Sequence, residues 1–314
     1  MGRRITGVVV MRFVKRVIVF FLWVISGVFV FSVLFLLIGL VAAMRHSGKG
    51  EDVSLGAIKT EHAVALVELK GEILSSDSFR KSLNKAVDEK QIKAIVVRID
   101  SPGGSVGAAQ EIHRLIKDAD AQKPVICSLG NTAASGGIYA AVGCRKIVAN
   151  PGTLTGSIGV IFMMPNFESI MGQLGLQMNV IKSGRFKDTG TPFRQMDTED
   201  RALLQGIVEQ SYEQFLRTVA DGRRLDINSV RGFADGRIIL GEEALKNGLV
   251  DELGGVDRAA KLALEQTGDM EKPELIPVKK PSGFAAFLSA IEESETAKWF
   301  NALGHARLLY QSYF

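Results

Sequence analysis

The chain has 314 residues, of which 46% are hydrophobic and 23% are charged, a balance that excludes intrinsic disorder and suits one large domain or two modest ones. Its net charge of +4 is concentrated at the N-terminus, because removing the five basic residues of the acid-free segment 1–16 from the total of 38 leaves 33 against 34 acidic residues. A domain without a basic excess argues against nucleic-acid binding. Two cysteines are too few for a disulfide framework or a cysteine-based zinc site.

The N-terminal region contains an uncharged, strongly apolar segment at residues 17–43. As a helix this segment would be about 40 Å long, enough to span a bilayer core of about 30 Å. It is too long for the apolar region of a signal peptide, which has about 7–15 residues, although a cleaved signal peptide stays open as the alternative. We therefore predict a retained membrane anchor. The preceding basic tail, residues 1–16, is predicted to be cytoplasmic, with the main domain outside, in the periplasm or at the cell exterior.

A polar linker at residues 44–61 leads into the main domain, predicted at residues 62–281, where strand and helix patterns alternate. This alternation indicates an α/β domain with much parallel pairing. One long helix is amphipathic, with Leu203, Leu204, Ile207, Val208 and Phe215 on one side. Strands are predicted at 63–69, 94–99, 125–129, 146–149 and 177–181, with short closing pieces at 238–241 and 249–253, and helices at 76–89, 105–119, 135–142, 198–221 and 256–266.

The C-terminal segment, residues 282–314, carries apolar side chains at helical spacing, among them Phe284, Trp299 and Leu308. This pattern predicts an amphipathic tail that packs on the domain or a neighbouring subunit, contacts the membrane surface, or extends freely. Cys127 and Cys144 fall in apolar segments that resemble strands, so we predict two buried free thiols, although an oxidising compartment would permit a bond.

Two glycine-rich turns follow predicted strands and precede predicted helices: 100–104, with the sequence DSPGG, and 130–137, with the sequence GNTAASGG. Such junctions present free backbone N–H groups to a phosphate, a carboxylate or a developing oxyanion. Neither turn has a nucleotide-binding glycine pattern. Ser135 lies among small residues at the start of a helix, so it is either a helix N-cap or an approachable nucleophile.

A serine nucleophile needs a base, and no histidine occurs between residues 114 and 304. A Ser-His-Asp arrangement within this domain is therefore disfavoured, and lysine is the remaining common base. The candidate is Lys187 in the segment 182–188, which follows the predicted strand at 177–181. An ordinary lysine with a pKa of about 10.4 is neutral about once in 2,500 at pH 7. A lysine base therefore requires a site that lowers its pKa by desolvation or by nearby cations, and we expect the carboxylate of Asp188 to point away from it.

Four motifs in order, DSPGG at 100–104, AASGG at 133–137, TGSIGV at 155–160 and SGRFKD at 183–188, resemble the short, single-domain form of the signal peptide peptidase A family. The resemblance covers residues 62–270 and the N-terminal anchor. It implies a Clp protease/crotonase-like ββα superhelical domain. It also implies a serine endopeptidase that is anchored in the bacterial cytoplasmic (inner) membrane, with a periplasmic catalytic domain, and that degrades remnant signal peptides. It also implies a ring-shaped homo-oligomer with catalytic groups near subunit interfaces, and neither a cofactor nor a metal.

Matching the motifs residue by residue implies that Ser135 is the nucleophile and Lys187 the general base. Ser157 would orient the lysine, and the backbone N–H groups of Gly104 and Gly136 would form the oxyanion hole. We expect a hydrophobic peptide substrate to lie extended between residues 104–106 and 155–160 as an added strand.

Other functions remain open. The same fold in crotonases acts on acyl-CoA thioesters, but a membrane anchor and a well-placed lysine favour a peptidase. The chain could also be an inactive membrane scaffold, although both Ser135 and Lys187 are present. A peptidase for other membrane-associated peptides or a regulatory partner would use the same motifs, because they define the chemistry and leave the substrate undetermined.

Overall fold

The computed structural model describes residues 53–279, the backbone of 307–311, and six helical positions near the N-terminus: Trp23, Ser26, Gly27, Phe31, Ser32 and Leu34. Among these described residues, no helix combines the length and apolar character needed to cross a bilayer. Apart from those six positions, the basic tail at 1–16 and the predicted anchor at 17–43 lie outside the described residues. From residue 53 onward, the described chain belongs to one compact unit.

The described domain alternates strands and helices along the chain. The strands are β1 (Ser54–Leu55), β2 (Ala63–Lys70), β3 (Ile92–Ser101), β4 (Gly103–Ser105), β5 (Val125–Ala134), β6 (Lys146–Ala149), β7 (Leu154–Gly156), β8 (Ile161–Met163), β9 (Ile238–Leu240), β10 (Glu252–Leu253), β11 (Glu274–Lys279) and β12 (Arg307–Gln311). The helices are α1 (Asp77–Asp88), α2 (Val106–Asp120), α3 (Gly136–Ala141), α4 (Glu168–Gln173), α5 (Thr198–Arg223), α6 (Ile227–Arg231), α7 (Gly241–Lys246) and α8 (Val256–Glu265), with a 3-10 turn at Arg185–Asp188.

Nine of the described strands form one sheet with the order β1-β11-β2-β3-β5-β6-β10, and β7 and β9 extend it beyond β5. Strands β11, β2, β3, β5, β6 and β10 are paired in parallel, as the α/β pattern predicts. β1 adds antiparallel to β11, so part of the predicted linker at 44–61 joins the sheet.

The central strands are buried on both faces because helices cover both sides of the sheet. Val96 and Ile126 face α8, whereas Ile95 and Val97 pack in the larger core with α1, α2 and α5. Neighbouring residues of β3 thus alternate between the two cores, which explains its continuous apolar run. The predicted strands of this sheet and the predicted helices that cover its two faces are confirmed, with boundaries shifted by a few residues.

The predicted strand at residues 177–181 is wrong: the segment has no regular secondary structure. A strand needs a neighbouring edge that accepts its backbone hydrogen bonds, and no described strand pairs with this segment. Its apolar side chains point outward, since Met178 is 52% exposed and Ile181 is fully exposed. The first half of α5 is similarly open, with Leu203 and Ile207 exposed, while Phe215 further along is buried.

The prediction of two free thiols is also wrong. Cys127 on β5 forms a disulfide with Cys144, which lies between α3 and β6, and their Cα atoms are 5.8 Å apart. This separation falls in the range that a disulfide requires. It arises because the chain returns from α3 to pair β6 directly against β5.

The helical spacing of the C-terminal tail does not describe residues 307–311, which form the strand β12. This strand lies between β4 and β8 in a separate three-stranded sheet and is antiparallel to both. Two neighbouring edges therefore override the helical pattern here, because both can accept backbone hydrogen bonds. The rest of the predicted tail, residues 282–306 and 312–314, lies outside the described residues.

Candidate active site

Ser135 occupies a strained turn between β5 and α3. Its backbone has φ 51° and ψ −115°, a region that costs a non-glycine residue about 1–3 kcal/mol and is concentrated at functional sites. The backbone N–H donates to the carbonyl of Gly156 at 2.9 Å, and its own carbonyl accepts from the N–H of Tyr139 at 2.9 Å. The turn is thus held rigidly from both sides.

The Ser135 side chain does not cap α3, although it stands at the N-cap position. Its Oγ is buried and has no hydrogen-bond partner among the described residues, and the residue is 1% exposed. A buried hydroxyl usually finds a partner, so an orphaned one points to a functional role. This observation favours the nucleophile over the N-cap.

Ser157 also has a strained backbone, and it lies beside the strained turn at Ser135. Its φ is 49°, and its N–H donates to the carbonyl of Arg237 at 2.7 Å. The preceding residue, Gly156, pairs with Ala134 in the register between β7 and β5. Ser157 and Ser135 therefore lie at adjacent positions where these two strands end.

The first glycine turn packs against the same corner. A Cβ on Gly104 would lie 2.2 Å from the carbonyl oxygen of Ile73, and its φ is +154°, so only glycine fits. A Cβ on Gly137 would lie 2.9 Å from the carbonyl oxygen of Ser101, which brings this turn against the start of α3. Gly136 begins α3, and the first N–H groups of a helix have no acceptor within it. Gly104, Gly136 and Ser135 thus share one corner of the molecule.

Asp100 ties the two glycine turns together, a role that the sequence analysis missed. Its carboxylate accepts hydrogen bonds from the backbone N–H of Thr132 at 3.1 Å and from the Nδ2 of Asn131 at 3.2 Å. The carboxylate also fills the space beside Gly130, where a Cβ would lie 2.8 Å from Asp100 Cγ. The sequence feature that could have indicated this role is an acidic residue directly after a predicted buried strand.

Lys187 lies on the exposed 3-10 turn at Arg185–Asp188. Within the described part of the chain, no hydrogen bond or ion pair joins it to Ser135 or Ser157. The neighbouring Phe186 is 43% exposed, and Arg185 forms an ion pair with Glu199. Within the described residues, the two serines and two glycines come together, whereas the lysine is exposed and has no described hydrogen bond to either serine.

An ion cluster fixes the turn that carries Lys187. Asp188 binds Lys182 at 2.5 Å and accepts two hydrogen bonds of 3.1 Å from Arg194. Arg194 also donates to Asp200 at 2.5 Å, and Asp200 accepts from the hydroxyl of Thr189 at 2.5 Å. The cluster attaches the 3-10 turn to the first turn of α5.

The same ion cluster fixes the orientation of the Asp188 carboxylate, which follows Lys187 in the chain. Hydrogen bonds from Arg194 and Lys182 hold the pKa of Asp188 well below its usual range, so this carboxylate stays ionised and paired with those two cations. This pairing agrees with the expectation that Asp188 turns away from the lysine. Neither Arg194 nor Asp200 was identified from the sequence, because no local pattern links them to the turn.

A cleft of about 510 Å³ opens beside Ser157. Its walls come from the segment that leads into β8, from α5 and from residues 234–238, and they include Ile161, Val208 and Tyr212. This volume accommodates a large apolar side chain next to the serine pair.

Comparison with known proteins shows which families this chain is similar to. The Peptidase family S49 model matches residues 117–268, and the Clp protease model matches residues 59–153. A Synechocystis protein named "Putative protease" is 44% identical over 226 residues, covering 71% of this chain and 81% of the relative. The chloroplastic serine protease SPPA of Arabidopsis thaliana is 31% identical over 215 residues, which cover 68% of this chain and 32% of that protein.

Two further similarities cover less of the molecule. An Enterococcus faecium protein named "Putative signal peptide peptidase SppA" is 37% identical over 184 residues, covering 58% of this chain and 54% of that protein. A mutant of ClpP1 from Listeria monocytogenes aligns with a TM-score of 0.43 at 19% identity, over 62% of this chain and 94% of the other.

Proposed function

The chain belongs to peptidase family S49 and is a serine protease with a Clp protease-like α/β fold, and we propose that Ser135 and Lys187 form its catalytic dyad. The observation that carries this proposal is the strained, buried Ser135, whose Oγ has no hydrogen-bond partner in the part of the chain that the structure describes. Ser157 and the two glycine turns surround it, as a nucleophile and its oxyanion hole require.

In the proposed reaction, Ser135 Oγ attacks the carbonyl carbon of the scissile peptide bond while the neutral amine of Lys187 takes the hydroxyl proton. The N–H groups of Gly104 and Gly136 donate to the oxyanion that forms. The lysine then delivers its proton to the leaving amine, and the acyl group stays on Ser135. A water molecule, deprotonated by the same lysine, then attacks the ester carbonyl. The bond to Ser135 Oγ breaks, the new C-terminal acid leaves, and the lysine returns its proton to the serine.

We propose that the dyad is completed in a homo-oligomer. Lys187 is exposed in the single chain, and the segment that carries it presents Ile170, Leu174 and Ile181 to solvent, each more than half exposed. An apolar surface of this kind beside a charged amine suits burial by a second copy. Such burial would exclude water from the amine, which is the usual way to obtain a neutral lysine.

The proposed substrates are remnant signal peptides, bound in extended form between residues 104–106 and 155–160. Their apolar side chains suit the cleft beside Ser157, and a membrane anchor at residues 17–43 would hold the domain at the outer face of the cytoplasmic membrane, where such peptides remain. Backbone pairing explains how one site accepts many sequences, because an added strand is bound through its main chain.

The test uses the full chain in detergent, a fluorophosphonate probe and intact-mass spectrometry. One adduct is expected in the wild type and none in Ser135→Ala or Lys187→Ala, whereas Lys246→Ala, at an exposed site in α7, labels normally. An equimolar mixture of the two inactive variants recovers part of the labelling if the dyad is shared between copies. Labelling that survives in Ser135→Ala would refute the assignment.

A further inference from the structure

The strand β5 loses both of its neighbours for two residues shortly before the chain reaches Ser135. Its pairing with β6 ends at Leu129, and its pairing with β7 begins at Thr132. On the other side, the register with β3 is interrupted directly after Leu129. Among the described strands, none places a residue opposite positions 130–131. The segment that leads into the nucleophile turn therefore crosses a gap in the sheet.

Thr153, directly before β7, bridges this gap with its side chain. Its Oγ1 donates to the carbonyl of Gly130 at 2.7 Å and accepts from the backbone N–H of Asn150 at 3.1 Å. The backbone of Thr153 is fixed as well, because its carbonyl accepts from the N–H of Gly241 at 2.8 Å. The residue is 2% exposed, so bulk water does not compete for these bonds. The hydroxyl thus supplies the link that strand pairing supplies elsewhere along β5.

The opposite side of the gap is closed by Asp100, whose carboxylate accepts from the side chain of Asn131 and the N–H of Thr132. These bonds hold the two residues after Gly130, whereas Thr153 holds the Gly130 carbonyl itself. Both links run from a side chain to the segment that β5 leaves without strand partners. Each therefore depends on one particular residue type, unlike a backbone ladder.

The gap matters because the strained turn follows it at once. A backbone in a sparsely populated region persists only where its surroundings over-determine it, and Ser135, with φ 51° and ψ −115°, comes five residues after Gly130. A free Gly130 carbonyl would allow the preceding segment to shift and the turn to relax. A displacement of about 1 Å at a reacting group costs about 10²-fold in rate.

We infer that Thr153 is a positioning residue for the nucleophile: its hydroxyl holds the Gly130 carbonyl and thereby keeps Ser135 in its reactive conformation. The inference rests on the proposed role of Ser135. Thr153 precedes residues 155–160, which are proposed to bind the peptide, so loss of its hydroxyl lowers kcat and leaves KM within about twofold of the wild type.

The test uses the full chain in detergent and the variants Thr153→Val and Thr153→Ser. Valine keeps the shape of threonine but removes the hydroxyl, and kcat is expected to fall by about ten- to a hundredfold. Serine keeps the hydroxyl and is expected to restore kcat to within about threefold of the wild type. The matched control is Ser82→Ala in α1, which removes another buried hydroxyl bonded to a backbone carbonyl, that of Ser78, and leaves kcat unchanged.

Two further measurements distinguish positioning from a general loss of stability. The maximal rate of fluorophosphonate labelling is expected to fall in Thr153→Val while its pH midpoint, which the proposed base sets, stays the same. Amide hydrogen exchange is expected to become about fivefold faster or more in the peptide fragment that covers residues 130–136, because one buried hydrogen bond is lost. Ser82→Ala leaves the exchange of this fragment unchanged.

The outcomes separate this inference from the proposed function. A folded Thr153→Val variant that labels as fast as an active wild type would overturn the inference and leave the peptidase standing. A wild type that never labels or cleaves would refute the peptidase, while faster exchange of residues 130–136 in Thr153→Val would still support the role of the hydroxyl in holding the turn. A kcat of Thr153→Ser as low as that of Thr153→Val would overturn the assignment to the hydroxyl.

Discussion

Substituting alanine for Gly104 tests directly whether the turn at residues 100–104 supplies a donor to the proposed oxyanion hole. The added Cβ would lie 2.2 Å from the carbonyl oxygen of Ile73 and 2.7 Å from its backbone carbon and nitrogen. These are backbone atoms that cannot rotate away, and the φ of +154° disfavours any side chain. Because Cβ contacts under 3.0 Å are essentially never found, the turn must shift by about 0.8 Å or more. An oxyanion donor works within about 2.7–3.1 Å of the oxygen, so this shift removes it.

Gly104→Ala is therefore expected to lower kcat by about 10²–10³-fold, the loss found when one oxyanion donor is removed, with little change in KM. The matched control is Gly107→Ala, three residues further on in α2, where a Cβ meets nothing within 4 Å. That change is expected to retain activity and to stabilise the helix by about 0.5–1 kcal/mol.

The assay combines peptide cleavage with the rate of fluorophosphonate labelling, both measured well below the melting temperature of each variant. This precaution matters because forcing extra volume into a packed site costs about 1–3 kcal/mol of stability. A folded Gly104→Ala variant whose kcat stays within about twofold of the wild type would refute the assignment of this turn to the oxyanion hole, however much its melting temperature falls.

Three further outcomes are expected. Arg194→Lys is expected to lower kcat by about tenfold or more through misplacement of the proposed base, Lys187, because lysine lacks the planar guanidinium that hydrogen-bonds two carboxylates at once. The control, Arg231→Lys, changes an exposed ion pair and should leave activity unchanged. A kcat of Arg194→Lys equal to that of the wild type would contradict the positioning role of Arg194. Asp269 raises the pKa of the His62 imidazole through a 2.7 Å hydrogen bond, so this pair stabilises fully below about pH 6.5 and the effect is lost as pH rises above the folded-state pKa. The melting temperature of Asp269→Asn should therefore lie further below that of the wild type at about pH 5.5 than at about pH 8. Equal differences at the two pH values would refute the linkage. Cys127→Ser opens a link between residues 17 apart and should lower the free energy of unfolding by about 3 kcal/mol in denaturant titrations; an unchanged value would argue against the bond.

The strands and helices around β3 and α2 were predictable because the sequence patterns that indicate them are local. An uninterrupted apolar run indicates a strand buried on both faces, and a periodic one indicates a helix with a single buried face. Ser135 was recognisable for the same reason, since a small-residue turn between a strand and a helix is contiguous in the chain. The structure adds a strained backbone and a hydroxyl without a described hydrogen-bond partner, and both favour the proposed nucleophile over the N-cap.

Partnerships between distant segments were not predictable. Residues 177–181 have the composition of a strand but no edge to join, and residues 307–311 have helical spacing but two edges that accept them. Cys127 and Cys144 form a bond because the return from α3 places their Cα atoms 5.8 Å apart, a distance that no residue pattern encodes.

The sequence by itself determined most of the strands and helices of the described domain and the candidate residues Ser135 and Lys187, because each depends on residues adjacent in the chain. Only the tertiary structure decided that Arg194 joins Asp188 to Asp200, that Cys127 is bonded to Cys144, and that residues 307–311 form a strand between β4 and β8. These are matters of which surfaces meet, and such contacts depend on the packing of the whole domain.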